Sequence, residues 1–151
     1  MRESLDLPIK LLPHHEGLPL PSYQTAGAAG LDLPAAVSEE GVLLRAGEKL
    51  LLPTGIAAAV PEGYEGQLRP RSGLAAAHGL TLLNSPGTVD SDYRGEIKVL
   101  LINLGREDFL IERGMRIAQL VVAPVAMARI KPVLFLEETE RREGGFGHTG
   151  L

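Results

Sequence analysis

The sequence predicts an all-β protein, a sandwich or a barrel, on three observations. Short apolar runs recur along most of the chain. Gly and Pro, 18 and 11 of the 151 residues, separate these runs, and both residue types end strands and form turns. A single stretch, residues 72–78, has the composition of a helix. Many short strands joined by turns are typical of β-sandwiches and β-barrels.

The predicted strands are apolar runs bounded by Gly, Pro or charged turn residues. Tyr64, Gly66 and Leu68 alternate with polar neighbours, which is the period of a half-buried strand. The last strand is apolar enough to be buried on both faces, with Arg116 and Gln119 as polar interruptions. Strands are predicted at residues 9–12, 42–44, 50–52, 56–60, 64–69, 80–83, 97–103, 109–111 and 115–122.

Residues 72–78 are the predicted helix. Ser72 can serve as the N-cap, Leu74 and the alanines after it favour helix, and Gly79 stands where a left-handed residue ends one. Residues 137–151 are charged and then glycine-rich, and they cannot bury a core of their own. We therefore expect one β domain at residues 1–136, followed by a mobile arm at residues 137–151.

Composition excludes several classes of function. The absence of cysteine removes disulfides, thiolate metal sites and cysteine nucleophiles. A net charge of -4 with no basic run argues against nucleic acid as a partner, although local arginines can still hold a small anion. No apolar run has the length of a signal sequence or a membrane span. We expect a cytoplasmic enzyme or binding protein.

The most informative stretch is residues 84–96, Asn-Ser-Pro-Gly-Thr-Val-Asp-Ser-Asp-Tyr-Arg-Gly-Glu, which lies between two predicted strands. Polar groups on such a hairpin are held by a rigid scaffold, where binding and catalytic groups tend to lie. Asp90 could act as a general base on water beside a bound phosphate. On this stretch alone, a solvated hairpin with ordinary turn residues explains the pattern equally well.

Other candidate groups are individually weak but point the same way. Arg71, Ser72 and Gly73 at the start of the helix could bind phosphate, or could simply be a helix start with surface arginines. Gln119 could be a core amide, and Asp32 could bond neighbouring N–H groups. Together with an aromatic residue in the tail, Phe146, which could stack on a planar ligand, these groups suggest a ligand that carries phosphate. Mg²⁺ is then expected, held chiefly by phosphates because the carboxylates are scattered.

Several stretches, in this order, resemble the motifs of the homotrimeric dUTPase family. They are residues 29–33, 69–74, 84–95 and 116–120, together with Arg141 and residues 144–150. The resemblance implies a jelly-roll subunit in a homotrimer with three shared active sites, each closed by a C-terminal arm. The implied reaction converts dUTP and water to dUMP and pyrophosphate with Mg²⁺, supplying the dTTP precursor and keeping uracil out of DNA.

The resemblance also implies residue roles. Asp90 would activate water for attack on the α-phosphorus, and Tyr93 would pack on the deoxyribose and leave no room for a 2′-hydroxyl. Lys98 would border the substrate, and Asp32 would reach the metal only through water. Uracil would be read by Asn84, Gly87, Thr88 and Val89. The phosphates would be held by Arg71, Ser72, Gly73 and Gln119, and the arm would contribute Arg141, Phe146, Gly147, His148 and Thr149.

Two positions depart from the family pattern, and two other functions remain open. Arg142 stands where glycine is common, and His148 replaces a small hydroxyl residue. The related dCTP deaminases share the implied fold but need a glutamate base, whereas this hairpin offers Asp90. A non-catalytic β-sandwich that binds nucleotides or a protein is compatible with the fold alone.

Overall fold

A computed structural model of the chain describes residues 4–144. The predicted residues Phe146, Gly147, His148 and Thr149 therefore lie outside the described part. A 3-10 helix occupies Pro13–His15, and one α-helix, α1, occupies Ser72–His78. The strands are β1 Ile9–Leu11, β2 Leu31–Pro34, β3 Val42–Leu44, β4 Lys49–Pro53, β5 Ile56–Ala58, β6 Tyr64–Arg69, β7 Leu80–Leu82, β8 Gly87–Val89, β9 Lys98–Asn103, β10 Phe109–Ile111 and β11 Arg116–Pro124.

The strands form two main antiparallel sheets around one core. One sheet has the order β2-β11-β6-β8, and the other has the order β4-β9-β7. The pairs β1-β5 and β3-β10 complete the described sheets. Side chains from both main sheets meet in a single apolar cluster, which includes Leu33, Leu68, Leu120, Leu52, Val99 and Leu101. This arrangement confirms the predicted all-β, jelly-roll-like fold with one short helix.

Strand β11 does not show the predicted burial on both faces along its length. A bulge between Arg116 and Ala118 interrupts its pairing with β2. Ile117, Ala118 and Leu120 are 0% exposed, whereas Gln119, which points to the face opposite Ala118 and Leu120, is partly exposed. The residues from Val121 to Ala123 are partly exposed. The rest of the described chain therefore covers the C-terminal half of β11 only partly.

The helix matches its predicted bounds, but the predicted cap was wrong. Arg71 is the N-cap, with φ -92° and ψ 124°, and no side-chain hydrogen bond caps the helix. The carbonyl of Arg71 accepts the N–H of Ala75 at 3.0 Å, so Ser72 is already the first helical residue. Gly79 has the predicted left-handed conformation, with φ 70°.

The two strands that flank the predicted hairpin are confirmed. The connection between them differs from the prediction of a simple hairpin loop. Strands β7 and β9 pair antiparallel, with Leu82 opposite Leu101. The connection does not stay in their sheet, because β8 pairs with β6 and becomes the last strand of the other main sheet. The stretch at residues 84–96 therefore bridges the two sheets, which holds its polar residues more firmly than a solvated loop would.

After β11 the chain runs away from the core. Residues 125–144 contain no strand, and Met127, Leu134 and Phe135 are 94%, 99% and 84% exposed. Exposed apolar side chains in this number are typical of a surface for interaction. Within residues 4–144, no helix has the length and hydrophobicity needed to cross a lipid bilayer.

Candidate active site

The hairpin and its neighbours enclose a cleft of about 410 Å³. Its walls come from β8, the turn after it and the start of β9, with Leu51 and Leu68 contributing apolar surface. The cleft brings together seven of the residues predicted from the sequence. These are Asn84, Gly87, Thr88, Val89, Asp90, Tyr93 and Lys98.

Strand β8 gives the cleft one open backbone edge. It pairs with β6 on one side, with Gln67 opposite Thr88, and it is the last strand of its sheet in the described chain. An edge strand offers unpaired N–H and C=O groups to a partner. A Cβ on Gly87 would lie 3.0 Å from Nδ2 of Asn84, so the glycine lets this amide approach the strand. The edge and the amide together can hydrogen-bond a planar heterocycle.

Asp90 follows β8 directly and carries an exposed carboxyl group. Its backbone carbonyl accepts the N–H of Tyr93 at 3.1 Å, which forms the turn. In the part of the chain that the structure describes, no hydrogen bond or ion pair engages its carboxylate. A free carboxylate at the rim of a cleft is available to accept a proton from water.

Tyr93 is fixed through its hydroxyl group. The phenol donates to the backbone carbonyl of Glu96 at 3.0 Å, and a Cβ on Gly95 would collide with the ring. The ring is 45% exposed, so one face is available to a ligand. Gly95 is therefore required for the close approach of the ring to the chain.

Glu96 was not predicted as a site residue, and it is the best-connected carboxylate of the cleft. Its Oε1 accepts from the N–H of Gly55 at 2.9 Å and from Nε2 of His14 at 2.6 Å. Its Oε2 lies 3.8 Å from Nζ of Lys98. Burial acts to raise the pKa of Glu96, but these hydrogen bonds and the charges of His14 and Lys98 outweigh burial and lower it. The contact to His14 spans 82 residues, so no local sequence pattern signals it.

A second polar cluster surrounds Asp32 on β2. Its side chain is 2% exposed, accepts from Arg116 Nη1 at 2.9 Å and from Gln119 Nε2 at 3.0 Å, and lies 3.6 Å from Arg71 Nη2. The register of β2 and β11 places Asp32 opposite Gln119. A Cβ on Gly30 would lie 3.0 Å from Cβ of Gln119, so that glycine also permits the close packing.

The Asp32 cluster is suited to anions. Arg71 also donates to the carbonyl of Arg116 at 3.1 Å, and Ser72 and Gly73 follow it at the start of α1. Two guanidinium groups and an amide around one carboxylate leave an excess of positive charge and of N–H donors. Arg116 is a member of this group that sequence reasoning quoted without assigning a role. The residues that line the 410 Å³ cleft do not include Arg71, Ser72, Gly73 or Gln119.

The described part of the arm does not reach either cluster. Arg141 donates through Nε to the carbonyl of Gly144 at 2.8 Å, and both lie in a turn that begins near Thr139. Arg142 has φ 49°, in the left-handed region that favours glycine. Arg142 therefore adopts a backbone conformation that suits glycine, at the position where glycine is common in the family it resembles.

The donor set does not form a protein cage for a metal ion. Residues 4–144 contain no group of three or more His, Asp or Glu side chains that could hold one. Both oxygens of Asp32 already accept hydrogen bonds, so this carboxylate is poorly placed as a direct ligand. A divalent ion carried by the phosphates of a ligand, with Asp32 reached through water, fits these residues.

The open backbone edge beside a free carboxylate and the cation-rich cluster, carried on a jelly-roll-like fold, are features suited to the class of nucleotide-binding proteins. Comparison with known proteins specifies the class further. A family model described as dUTPase matches residues 16–150, so the chain belongs to the dUTPase family.

Relatives and solved structures agree with this family. The chain is 59% identical over 147 residues to the deoxyuridine 5′-triphosphate nucleotidohydrolase of Sinorhizobium medicae, covering 97% of this chain and 92% of that protein. It is 62% identical over 141 residues to the protein of the same name from Rhizobium etli, covering 93% and 90%. These names place the chain among hydrolases of nucleotide metabolism.

The fold is also that of solved dUTPases. The dUTPase of Staphylococcus bacteriophage 80alpha, solved with dUpNHpp, superposes with a TM-score of 0.87 at 29% identity, covering 98% of this chain and 100% of that chain. A mutant dUTPase from phage phi11 of S. aureus superposes with a TM-score of 0.78 at 26% identity, covering 89% and 100%. That structure is described as showing the coordination of a structural Mg(II) ion.

Proposed function

We propose that this protein hydrolyses dUTP to dUMP and pyrophosphate, with Asp90 activating the water that attacks the α-phosphorus. The observation that carries the proposal is the free Asp90 carboxylate at the end of β8, beside an open backbone edge and the exposed face of Tyr93. The relatives' shared name, deoxyuridine 5′-triphosphate nucleotidohydrolase, supports the choice of substrate.

The β8 edge is suited to read uracil. Its carbonyl and N–H groups, with the amide of Asn84 over Gly87, match the alternating acceptors and donor on the uracil edge. Cytosine would present a donor where uracil has an acceptor, which leaves buried polar groups unmatched. The lining residues Leu51 and Leu68 restrict the cleft, which favours a pyrimidine over a purine.

Tyr93 packs on the deoxyribose and excludes a 2′-hydroxyl. The phenol is tied to Glu96 and the ring sits on Gly95, so the ring cannot move aside without losing a hydrogen bond. Lys98 borders the substrate on the same wall. This arrangement selects dUTP over UTP.

The Asp32 cluster binds the phosphates. Arg71 and Gln119, with the hydroxyl of Ser72 and the backbone of Gly73, offer donors to phosphate oxygens, and Arg116 adds a further guanidinium. Asp32 orients Arg116 and Gln119 by accepting from each. Mg²⁺ held by the triphosphate would neutralise negative charge on the phosphate oxygens, and Asp32 would be reached by the ion only through water.

The chemical step is an in-line displacement. Asp90 accepts a proton from water while the oxygen of that water forms a bond to the α-phosphorus. The bond from the α-phosphorus to the oxygen bridging it to the β-phosphorus breaks, and pyrophosphate leaves with the bonding electrons. Arginine side chains stabilise the charge that develops on the phosphate oxygens. The dUMP product would supply the dTTP precursor, and the loss of dUTP would keep uracil out of DNA.

The complete site forms in a homotrimer in the cytoplasm. The cleft with Asp90 and the cluster around Asp32 have separate linings in one chain, so a site shared between subunits can unite them. The half-exposed end of β11 and the exposed residues of 125–136 offer apolar surface for the assembly. The arm, residues 137–151 beyond a core at 1–136, then closes a neighbour's site, with Arg141 on the γ-phosphate, Phe146 over the uracil, and Gly147, His148 and Thr149 beside it.

The proposal is tested with a panel of nucleoside triphosphates and Mg²⁺. We expect pyrophosphate release from dUTP, with far slower release from UTP, dCTP and dTTP. Ammonia released from dCTP would instead identify a deaminase. A folded protein that binds dUpNHpp but releases no pyrophosphate from any nucleotide would be a binding protein, and the proposed hydrolysis would be wrong.

A further inference from the structure

Glu96 joins three separate segments of the chain beside the cleft. Its carboxylate accepts from Gly55 in the turn between β4 and β5 and from His14 in the 3-10 helix. An ionised carboxylate only accepts hydrogen bonds, so Nε2 of His14 is the donor. The Glu96 side chain is 14% exposed. Charge-assisted hydrogen bonds to a largely buried carboxylate fix a side chain firmly.

His14 is itself held from the opposite side. Arg113, in the turn between β10 and β11, donates through Nη2 to the carbonyls of His14 at 3.0 Å and Glu16 at 2.7 Å. Its Nη1 donates to the carbonyl of Val37 at 2.7 Å. The backbone of His14 is therefore held in place, and its half-exposed imidazole reaches Glu96 from a fixed position.

The backbone of Glu96 carries this restraint to Tyr93. The backbone carbonyl of Glu96 accepts a hydrogen bond from the phenol of Tyr93 at 3.0 Å. The carbon of this carbonyl is two bonds from the Cβ of the restrained Glu96 side chain. The ring lies against Gly95, where no Cβ intervenes. The Glu96 carbonyl belongs to the same peptide unit as the N–H of Ile97, which donates to Ile56 at 2.8 Å, so the Glu96 carboxylate is a second restraint on the position of the ring. Site groups displaced by about 1 Å can lose about 100-fold in rate.

We propose that Glu96 is a positioning residue that sets the discrimination between dUTP and UTP, and that His14 acts through it. The inference rests on the proposed function, since Tyr93 discriminates only if the deoxyribose packs on it. With the ring held by Glu96, a 2′-hydroxyl has no space. With the Glu96 carboxylate removed, the ring can shift and admit the ribose.

The strand that begins after Glu96 has attachments of its own. Thr54 donates through its hydroxyl to the carbonyl of Ile97, and the N–H of Ile97 donates to Ile56 at 2.8 Å. We therefore expect Glu96→Ala to fold. If the Glu96 carboxylate only stabilised the fold, its removal would reduce kcat/KM for dUTP and for UTP equally. The ratio of the two kcat/KM values would then stay unchanged.

The test compares kcat/KM for dUTP and for UTP in the parent, Glu96→Ala, His14→Ala, the double variant and Tyr93→Phe. We expect the dUTP:UTP ratio to fall about tenfold in Glu96→Ala and in Tyr93→Phe. His14→Ala should lower the ratio less, and adding it to Glu96→Ala should change nothing further. The matched control is Glu48→Ala, which removes an exposed glutamate paired with Arg45 at 3.7 Å, and it should keep the parental ratio.

His14→Ala keeps the test of the carboxylate decisive if Glu96→Ala unfolds, because it removes a donor that holds that carboxylate. A parental dUTP:UTP ratio in active Glu96→Ala, or in His14→Ala where Glu96→Ala does not fold, would overturn the role of Glu96 and leave dUTP hydrolysis standing. A folded parent that does not hydrolyse dUTP would overturn both proposals. The two failures are therefore distinguishable in one set of assays.

Discussion

Two aspartates of the site show how environment assigns role at the residue scale. Asp32 is buried and accepts from Arg116 and Gln119, so its carboxylate is committed to orienting donors. Asp90 is exposed, and its carboxylate is free within the described chain. A base must be able to accept a proton from water, which a carboxylate saturated with donors does poorly. The proposed division of labour follows from these surroundings.

Glu96 provides a prediction on pH. Because its pKa is lowered in the folded protein from the ordinary value of 4.5, Glu96 stabilises the fold above that value, and the contribution is lost as pH falls through the lowered pKa. Glu96→Gln should therefore lower the free energy of unfolding at about pH 7, and the difference from the parent should shrink at about pH 3.5. Urea unfolding at both pH values measures this. A difference that stays constant, or one that Glu48→Gln reproduces, would contradict the assignment.

At the scale of elements, the hairpin shows what the sequence could and could not predict. Gly, Pro and the apolar runs correctly predicted β7, β9 and a polar connection between them. That β8 pairs with β6 in the opposite sheet was not predicted, because strand pairing depends on contacts distant in sequence. The same reason hid the hydrogen bonds from His14 to Glu96 and from Arg116 to Asp32, which span 82 and 84 residues. Local sequence patterns predict strands and turns, whereas hydrogen bonds between residues distant in sequence are seen only in the folded structure.

Strand β8 gives a prediction about Gly87. An alanine there would place its Cβ 3.0 Å from Nδ2 of Asn84 and 3.3 Å from Cβ of Leu68. Asn84 is exposed and can move, so we expect a small loss of stability, on the order of 1 kcal/mol, with a clear rise in KM for dUTP. Steady-state kinetics and urea unfolding separate the two effects. Glu48→Ala, which removes an exposed side chain paired with Arg45 at 3.7 Å, is the control and should leave KM unchanged. A parental KM in Gly87→Ala would mean that Asn84 does not contact the base.

At the scale of the whole molecule, a single chain has two unsatisfied features. The cleft with Asp90 and the cluster around Asp32 have separate linings, and apolar residues after β11 are exposed to water. Leu134 and Phe135 make too little contact with their own chain to stabilise it, since they are 99% and 84% exposed. Their presence is explained if a second copy of the chain buries them. The proposed homotrimer explains both features. A neighbouring subunit can bury the exposed apolar side chains, and it can place its Asp32 cluster beside the cleft with Asp90.

The assembly gives a prediction on size and on truncation. We expect the mass of three chains by light scattering at micromolar concentration. Leu134→Ser with Phe135→Ser should dissociate the trimer and leave a folded β-sandwich, because neither side chain belongs to the core. Removal of residues 137–151 should leave a folded protein with little activity, because the proposed role of the arm is to close the site and not to build the core. A parental mass of one chain, or unfolding of the truncated protein, would contradict this account.

The central claim is that the Asp90 carboxylate activates the attacking water, and Asp90→Asn tests it most directly. The asparagine keeps the shape of the side chain and removes its ability to accept the proton. The measurement is pyrophosphate release from dUTP and Mg²⁺, paired with the affinity for dUpNHpp. We expect parental affinity with turnover reduced by about 100-fold or more. Turnover at the parental rate with parental affinity would show that Asp90 is not the base.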